Sequence, residues 1–175
     1  MFKEYKNIIN KKEKDFLKST IIDSNTFPFY LRTTEIVNAP NNYFPFLSHV
    51  VLHKPEEQKT NRINSSLYNY CTELFQRISK RYKFKYKEIY RIALNLTFKN
   101  GKKESLIHRD HPYPHKQLLI YLHTDDLKSC TCIFNKDKIK KIIPTPNKGV
   151  IWDNLKHYHI TPKKGYRLVL VYTFL

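Results

Sequence analysis

From residue 88 to the C-terminus the hydrophobic pattern runs at a period of two. The stretch "EIYRIALNLTF" alternates, "NGKKE" turns, and strand-like runs follow at 105–110, 116–124, 130–135, 141–146, 149–154, 158–161 and 166–175. Successive side chains on a strand point to opposite faces, so each run offers one face to a core and one to a second layer or solvent. Parallel strands would need crossover connections of about a dozen residues or more, and these runs are joined by short polar turns. The pattern therefore predicts an antiparallel sandwich or barrel of eight strands.

The first half reads differently. Apolar Tyr5, Ile8, Ile9, Phe16 and Leu17 recur among lysines and predict an amphipathic helix over residues 3–20. A second helix is predicted from Asn64 to Tyr82, with Leu67, Cys71, Leu74, Phe75 and Ile78 on one face behind an Asn/Ser cap. Strands are predicted at the end of "NTFPFYLR" and at "FLSHVVLH", inside a polar, proline-punctuated region. The fold class is thus α+β, mainly β. Residues 1–175 form one domain in this reading, with 1–87 as helical and mixed support for a β core over 88–175.

A formal net charge of +17 invites an anionic partner. The densest stretch, residues 77–103, carries ten Lys or Arg against one Glu, with aromatics between them as a single-strand binder would need. The positive charges are spread along the chain, however, and a solvated helix face with a basic turn accounts for this stretch equally well. Scarce Gly beside abundant Lys, Ile, Asn and Tyr suggests AT-rich coding, of viral or bacterial type. The three cysteines, Cys71, Cys130 and Cys132, have no framework spacing and fit a reducing compartment, and no apolar run reaches membrane-span length. A soluble, cytoplasmic protein with no membrane partner is expected.

The chemistry concentrates in "SLIHRDHPYPHKQLLIYLH", residues 105–123, which holds four of the eight histidines. His108 and Asp110 stand two apart, so an extended backbone turns both to one face, where an imidazole and a carboxylate can share an ion. A third ligand is available downstream in "GVIWDNLKHYHITPKKGYRLVLVYTF", as His157 or His159, before Arg167 opens the last apolar strand. Two histidines and one carboxylate leave coordination positions open, the arrangement of non-haem Fe(II) oxygenases. The planar fork of an arginine beside it suits a dicarboxylate. Counting back from Arg167 favours His157, ten residues away. Counting forward from Trp152 favours His159, which leaves room for the connecting loop. The reading leans to His159, with His157 as the alternative.

With these residues the chain resembles the Fe(II)- and 2-oxoglutarate-dependent oxygenases with a double-stranded β-helix, or jelly-roll, core. It is most similar to small prolyl-hydroxylase-like members of phages and bacteria. The resemblance rests on "HRD", "LLIYLH", "GVIWDN" and "ITPKKGYRLVLVYTF". It implies a cupin-like jelly roll with N-terminal helices packed outside. It also implies Fe(II) on His108, Asp110 and the distal His, and the 2-oxoglutarate carboxylate on Arg167, helped by Tyr121 and by Asn95. The implied activity is a dioxygenase (hydroxylase) that uses O2, with ascorbate as reductant. The implied substrate is a protein side chain, prolyl in the nearest members, or nucleic acid. One departure is that "LKSCTCIF" lacks the glycines many members carry between the middle strands. His111, His115 and His123 read as non-ligands facing solvent or the substrate mouth, Trp152 as core, and Cys130 and Cys132 as packing residues. Two alternatives use the same residues: a cupin-like metal enzyme without 2-oxoglutarate, and a basic nucleic-acid-binding or nucleic-acid-modifying protein. The oligomeric state is not legible.

Overall fold

A computed structural model describes residues 2–34, 43–136 and 138–175. Ten strands and two α-helices follow in chain order: β1 (Phe2–Tyr5), α1 (Lys11–Leu17), β2 (Tyr30–Arg32), β3 (Phe46–Leu52), α2 (Tyr68–Tyr82), β4 (Ile89–Phe98), β5 (Lys116–Thr124), β6 (Thr131–Asn135), β7 (Lys138–Ile142), β8 (Gly149–Asp153), β9 (His157–His159) and β10 (Tyr166–Phe174). They form a seven-stranded sheet of order β1-β8-β5-β10-β4-β3-β2 and a three-stranded sheet of order β7-β6-β9, with every pairing antiparallel.

Alternation in the central strand β10 divides the interior into two cores. Leu168, Leu170, Tyr172 and Phe174 face the helices and pack with Leu74, Phe75 and Ile78 of α2 and Leu17 of α1. Val169 and Val171 face the small sheet and pack with Leu119, Tyr121, Ile133 and Trp152. This is the predicted mainly β double sheet with helices outside. It has a physical consequence for the site: the inner face holds few apolar groups along β4, where Arg91, Asn95 and Thr97 line cavities.

Local departures from the sequence reading have identifiable causes. Residues 3–20 are not one helix. Phe2–Tyr5 pairs with β8, Asn7 reverses the chain at φ 51°, and α1 begins only after Asn10. Asn10 closes a capping box: its Oδ1 accepts from the Glu13 N–H at 3.0 Å, and its own N–H donates to Glu13 Oε2 at 2.7 Å. Asn10→Ala is expected to lower stability by about 1 kcal/mol, read as a shift of the urea midpoint at constant slope. Residues 105–110 form no strand and carry one isolated bridge, at His108, with another just before them at Glu104, and β7 stops at Ile142, before Pro144 and Pro146, which have no N–H to donate. Part of the proline-punctuated region, residues 35–42, lies outside the described residues.

Candidate metal centre

An isolated antiparallel bridge builds the centre. The His108 N–H donates to the His157 carbonyl at 3.0 Å, and the His157 N–H donates back to the His108 carbonyl at 2.9 Å. The two residues therefore stand directly opposite, and their imidazole centroids lie 4.5 Å apart. Asp110, two residues on, turns its carboxylate to the same side, with Oδ2 3.5 Å from His157 Nε2. One donor atom from each of His108, Asp110 and His157 lies within 4.8 Å of the others.

The protonation pattern suits a cation. Each imidazole uses Nδ1 against a backbone carbonyl two residues earlier: His108 with Leu106 at 2.9 Å and His157 with Leu155 at 3.2 Å. A carbonyl can only accept, so in each neutral ring Nδ1 carries the proton and Nε2 presents its lone pair. Burial pushes the His157 pKa down to about 4, which keeps this ring neutral at pH 7. Asp110 is held well below the usual carboxylate range. Burial works against its charge but is outweighed by His157, His108, Lys54 and Arg91. Its Oδ2 is buried with no hydrogen-bond partner, a costly state for a carboxylate oxygen unless something positive meets it. These donors fit a divalent metal ion.

The donor cluster contains His157 and not His159. Both lie on one face of β9, as their parity requires, but only His157 is opposite His108. His159 is two residues farther along, roughly 6.5 Å by the rise of a strand. There its Nε2 lies 3.4 Å from Thr97 Oγ1, and its ring meets Phe44 edge-on at 5.2 Å. Burial, then the nearby Arg167 charge, holds its pKa well below the ordinary value. The bridge register that sets His157 against His108 is not visible in the sequence, so neither count could use it.

Arg167 is buried on the inner face at the other end of the same cavity. Its Nη1 donates to the Ser129 carbonyl at 3.0 Å and to Thr131 Oγ1 at 3.4 Å. Tyr121 joins the cluster by donating to Thr131 Oγ1 at 2.7 Å, and burial pushes its pKa up to about 12, so its hydroxyl stays protonated. The glycine-free segment 127–134 thus reaches Arg167 through Ser129 and Thr131. Asn95 sits elsewhere along the wall, where its Oδ1 accepts from Ser48 Oγ at 2.8 Å, between the metal cavity and a second cavity beside it.

Three lining residues escaped the sequence reading. Gln117 is buried, with Oε1 unpartnered, and lies four residues before Tyr121 on the same strand face, a parity that would have found it. Arg91 has the parity of Asn95 and lies 3.6 Å from Asp110 Oδ1. Lys54, just after β3, donates to the Asp110 carbonyl at 2.5 Å, and no local signal points to it. Burial, then Arg91 beside it, lowers the Lys54 pKa.

The other histidines do not join the cluster. His111 and His115 are buried rather than solvent-facing. His111 bridges Glu56 at 2.7 Å and Thr173 at 2.6 Å, which ties the loop after Asp110 to the turn after β3. His123 stacks on Tyr166 at 4.5 Å. Trp152 is core, and all three cysteines are buried and unbridged.

No protein-family profile and no curated protein sequence matches the chain. Solved structures do. A 2OG-Fe(II) oxygenase family oxidoreductase from Burkholderia pseudomallei superposes with a TM-score of 0.78 at 12% identity, over 99% of this chain and 84% of that one. The fold is that of the 2OG-Fe(II) oxygenases. A prolyl hydroxylase from Trichoplax adhaerens, in complex with a hypoxia inducible factor peptide fragment, matches with a TM-score of 0.69 at 11% identity, over 99% and 83%. The alpha-ketoglutarate-dependent epimerase SnoN of nogalamycin biosynthesis matches with 0.69 at 6% identity, over 99% and 77%. No helix among the described residues is long and apolar enough to cross a membrane.

Proposed function

We propose that the protein is an Fe(II)- and 2-oxoglutarate-dependent dioxygenase that hydroxylates a protein side chain. His108, Asp110 and His157 would hold the iron, and Arg167 would bind the far carboxylate of 2-oxoglutarate. The observation that carries this reading is one cavity with a carboxylate oxygen that lacks a hydrogen-bond partner and two Nε2 lone pairs at one end, and a buried guanidinium at the other. When bound, iron and 2-oxoglutarate with O2 supply the oxidising chemistry, with succinate and CO2 as co-products.

The chain's own residues bind and orient. Leu106 and Leu155 carbonyls fix the imidazole tautomers, and Thr131 and Ser129 fix the guanidinium. His159, neutral and wedged between Thr97 and Phe44, forms the wall between the two ends. Tyr121 adds a hydroxyl on the Arg167 side. The preference for a protein side chain draws on the peptide complex of the Trichoplax structure. The epimerase shows that the same fold carries another outcome, so the reaction needs a direct test.

That test follows labelled 2-oxoglutarate under Fe(II), ascorbate and air. Succinate should form in proportion to enzyme and stop when Fe(II) is chelated. Iron bound with no succinate and no 2-oxoglutarate binding would instead favour a cupin-like metal enzyme.

A further inference from the structure

Past the small sheet, the inner face of the large sheet continues over β4, β3 and β2, and there it is polar. A cavity of about 100 Å³ shares Arg91, Asn95 and Asp110 with the metal cavity. It shares Arg32, Ser48 and Val50 with an open groove of about 560 Å³ along β2. Their shared lining residues set the three spaces side by side, from the groove along β2 to Asp110.

Charge along this path is unbalanced. Arg32, Lys54 and Arg91 line the middle cavity against Glu57 and Asp110. Glu57 is committed to His53 at 2.6 Å. The Asp110 carboxylate pairs with Arg91, while Lys54 donates to the Asp110 backbone carbonyl, and on the reading above that carboxylate also serves the metal. Arg32 is exposed, and its side chain makes no hydrogen bond or ion pair among the described residues. Cations crowded beside a metal ligand are costly unless a further anion joins them.

The distribution of charge identifies the class of anion. A nucleic-acid strand carries a charge at every nucleotide and needs cations along the whole track. Here Arg32, Lys54 and Arg91 gather at the middle cavity, and of the three only Arg32 reaches the outer groove, where neutral polar groups such as Asn64, Ser65 and Ser66 also line the wall. The groove also runs beside an unpaired strand edge. β2 ends the sheet order among the described strands, and its Tyr30 and Leu31 side chains are exposed. An exposed edge is a template for one more extended chain.

From these observations we infer that the substrate is an acidic peptide that lies extended along β2 and places a side-chain carboxylate, on or next to the oxidised residue, against Arg91 and Arg32. This rests on the oxygenase reading for its location, and the test separates the two.

The experiment uses the full chain loaded with Zn(II), which is redox-inert, together with 2-oxoglutarate. Fluorescence anisotropy follows a labelled peptide of about ten residues with a central proline flanked by aspartates, its asparagine counterpart, and an oligothymidylate of about equal length, in about 0.15 M salt. The aspartate peptide should bind about tenfold more tightly than the asparagine peptide, the effect of one charge-assisted contact. Arg91→Gln should remove that preference, and Arg32→Ser should reduce it. Equal binding of the two peptides by the wild type overturns the proposal, as does a preference that survives in both variants. Tighter binding of the oligothymidylate, lost in the same variants, overturns it in favour of nucleic acid. Metal and 2-oxoglutarate titrations without peptide report on the oxygenase reading alone. If they fail while the aspartate preference holds, the peptide surface stands without that reading.

Discussion

Asp110→Ala is expected to abolish stoichiometric Fe(II) binding while leaving a cooperatively folded protein. The carboxylate is the only anionic member of the donor set, and without it two imidazoles are left beside Lys54 and Arg91, which repel a cation. Binding to the folded state alone stabilises by about 2.7 kcal/mol at a hundredfold excess of metal over Kd. For a chain of this size that corresponds to a rise of roughly 5–10 °C in Tm. Anaerobic thermal scans with and without Fe(II) should show this rise in the wild type and none in Asp110→Ala. His157→Ala should behave as Asp110→Ala does, because it removes one of two Nε2 donors held opposite each other by the bridge. His159→Ala should keep the metal-induced rise and lose affinity only for 2-oxoglutarate. A full rise in Asp110→Ala sinks the metal assignment, and equal partial losses in the two histidine variants sink the choice of His157.

That choice also marks where the sequence stops being informative. The β core was legible because strand periodicity is local: β10 alternates between two cores, so its face assignment follows from the order of Leu168, Val169, Leu170 and Val171. His108 and Asp110 were legible as a pair from their local spacing of two, although Asp110 lies in a bend rather than on a strand. The proposed distal ligand was not, because His157 and His159 share one parity and only the cross-strand bridge to His108 separates them. Arg167 was pointed to by its place at the start of the last apolar strand and Tyr121 by resemblance, and their meeting through Thr131 depends on the register between β10 and β5. Lys54 lay beyond reach because its role comes from a contact across 56 positions. The charge reading stands between these cases. Lys138, Lys140 and Lys141 lie exposed on the edge strand β7, where lysines discourage strand addition, so part of the basic excess protects an edge. The cations that matter for the substrate proposal are three among thirty-two, and composition cannot single them out.

Arg167→Lys should weaken 2-oxoglutarate binding by about 1–3 kcal/mol, a loss of roughly 5- to 150-fold, and leave the iron midpoint near the wild-type value. The guanidinium is buried at the opening of β10, on a sheet face shared with Val169 and Val171. A charge in that setting must be met by acceptors, and the protein supplies the Ser129 carbonyl and the Thr131 hydroxyl to Nη1. Those two groups are neutral. They orient the guanidinium, whose lining of the cavity places it where a carboxylate can meet it. A carboxylate received by the planar fork gains two parallel hydrogen bonds, whereas an ammonium at the same place keeps the charge and loses that geometry. Tyr121→Phe removes one hydroxyl from the cluster and should cost about 1 kcal/mol, less than the arginine change. The measurement is an anaerobic 2-oxoglutarate titration of the Fe(II) protein, following the visible metal-to-ligand charge-transfer band. Arg167 does not belong to the donor set, so the iron titration is the internal control. If Arg167→Lys and the wild type share one 2-oxoglutarate midpoint, the guanidinium serves only to hold the segment carrying Ser129, and the cosubstrate must bind elsewhere in the cavity.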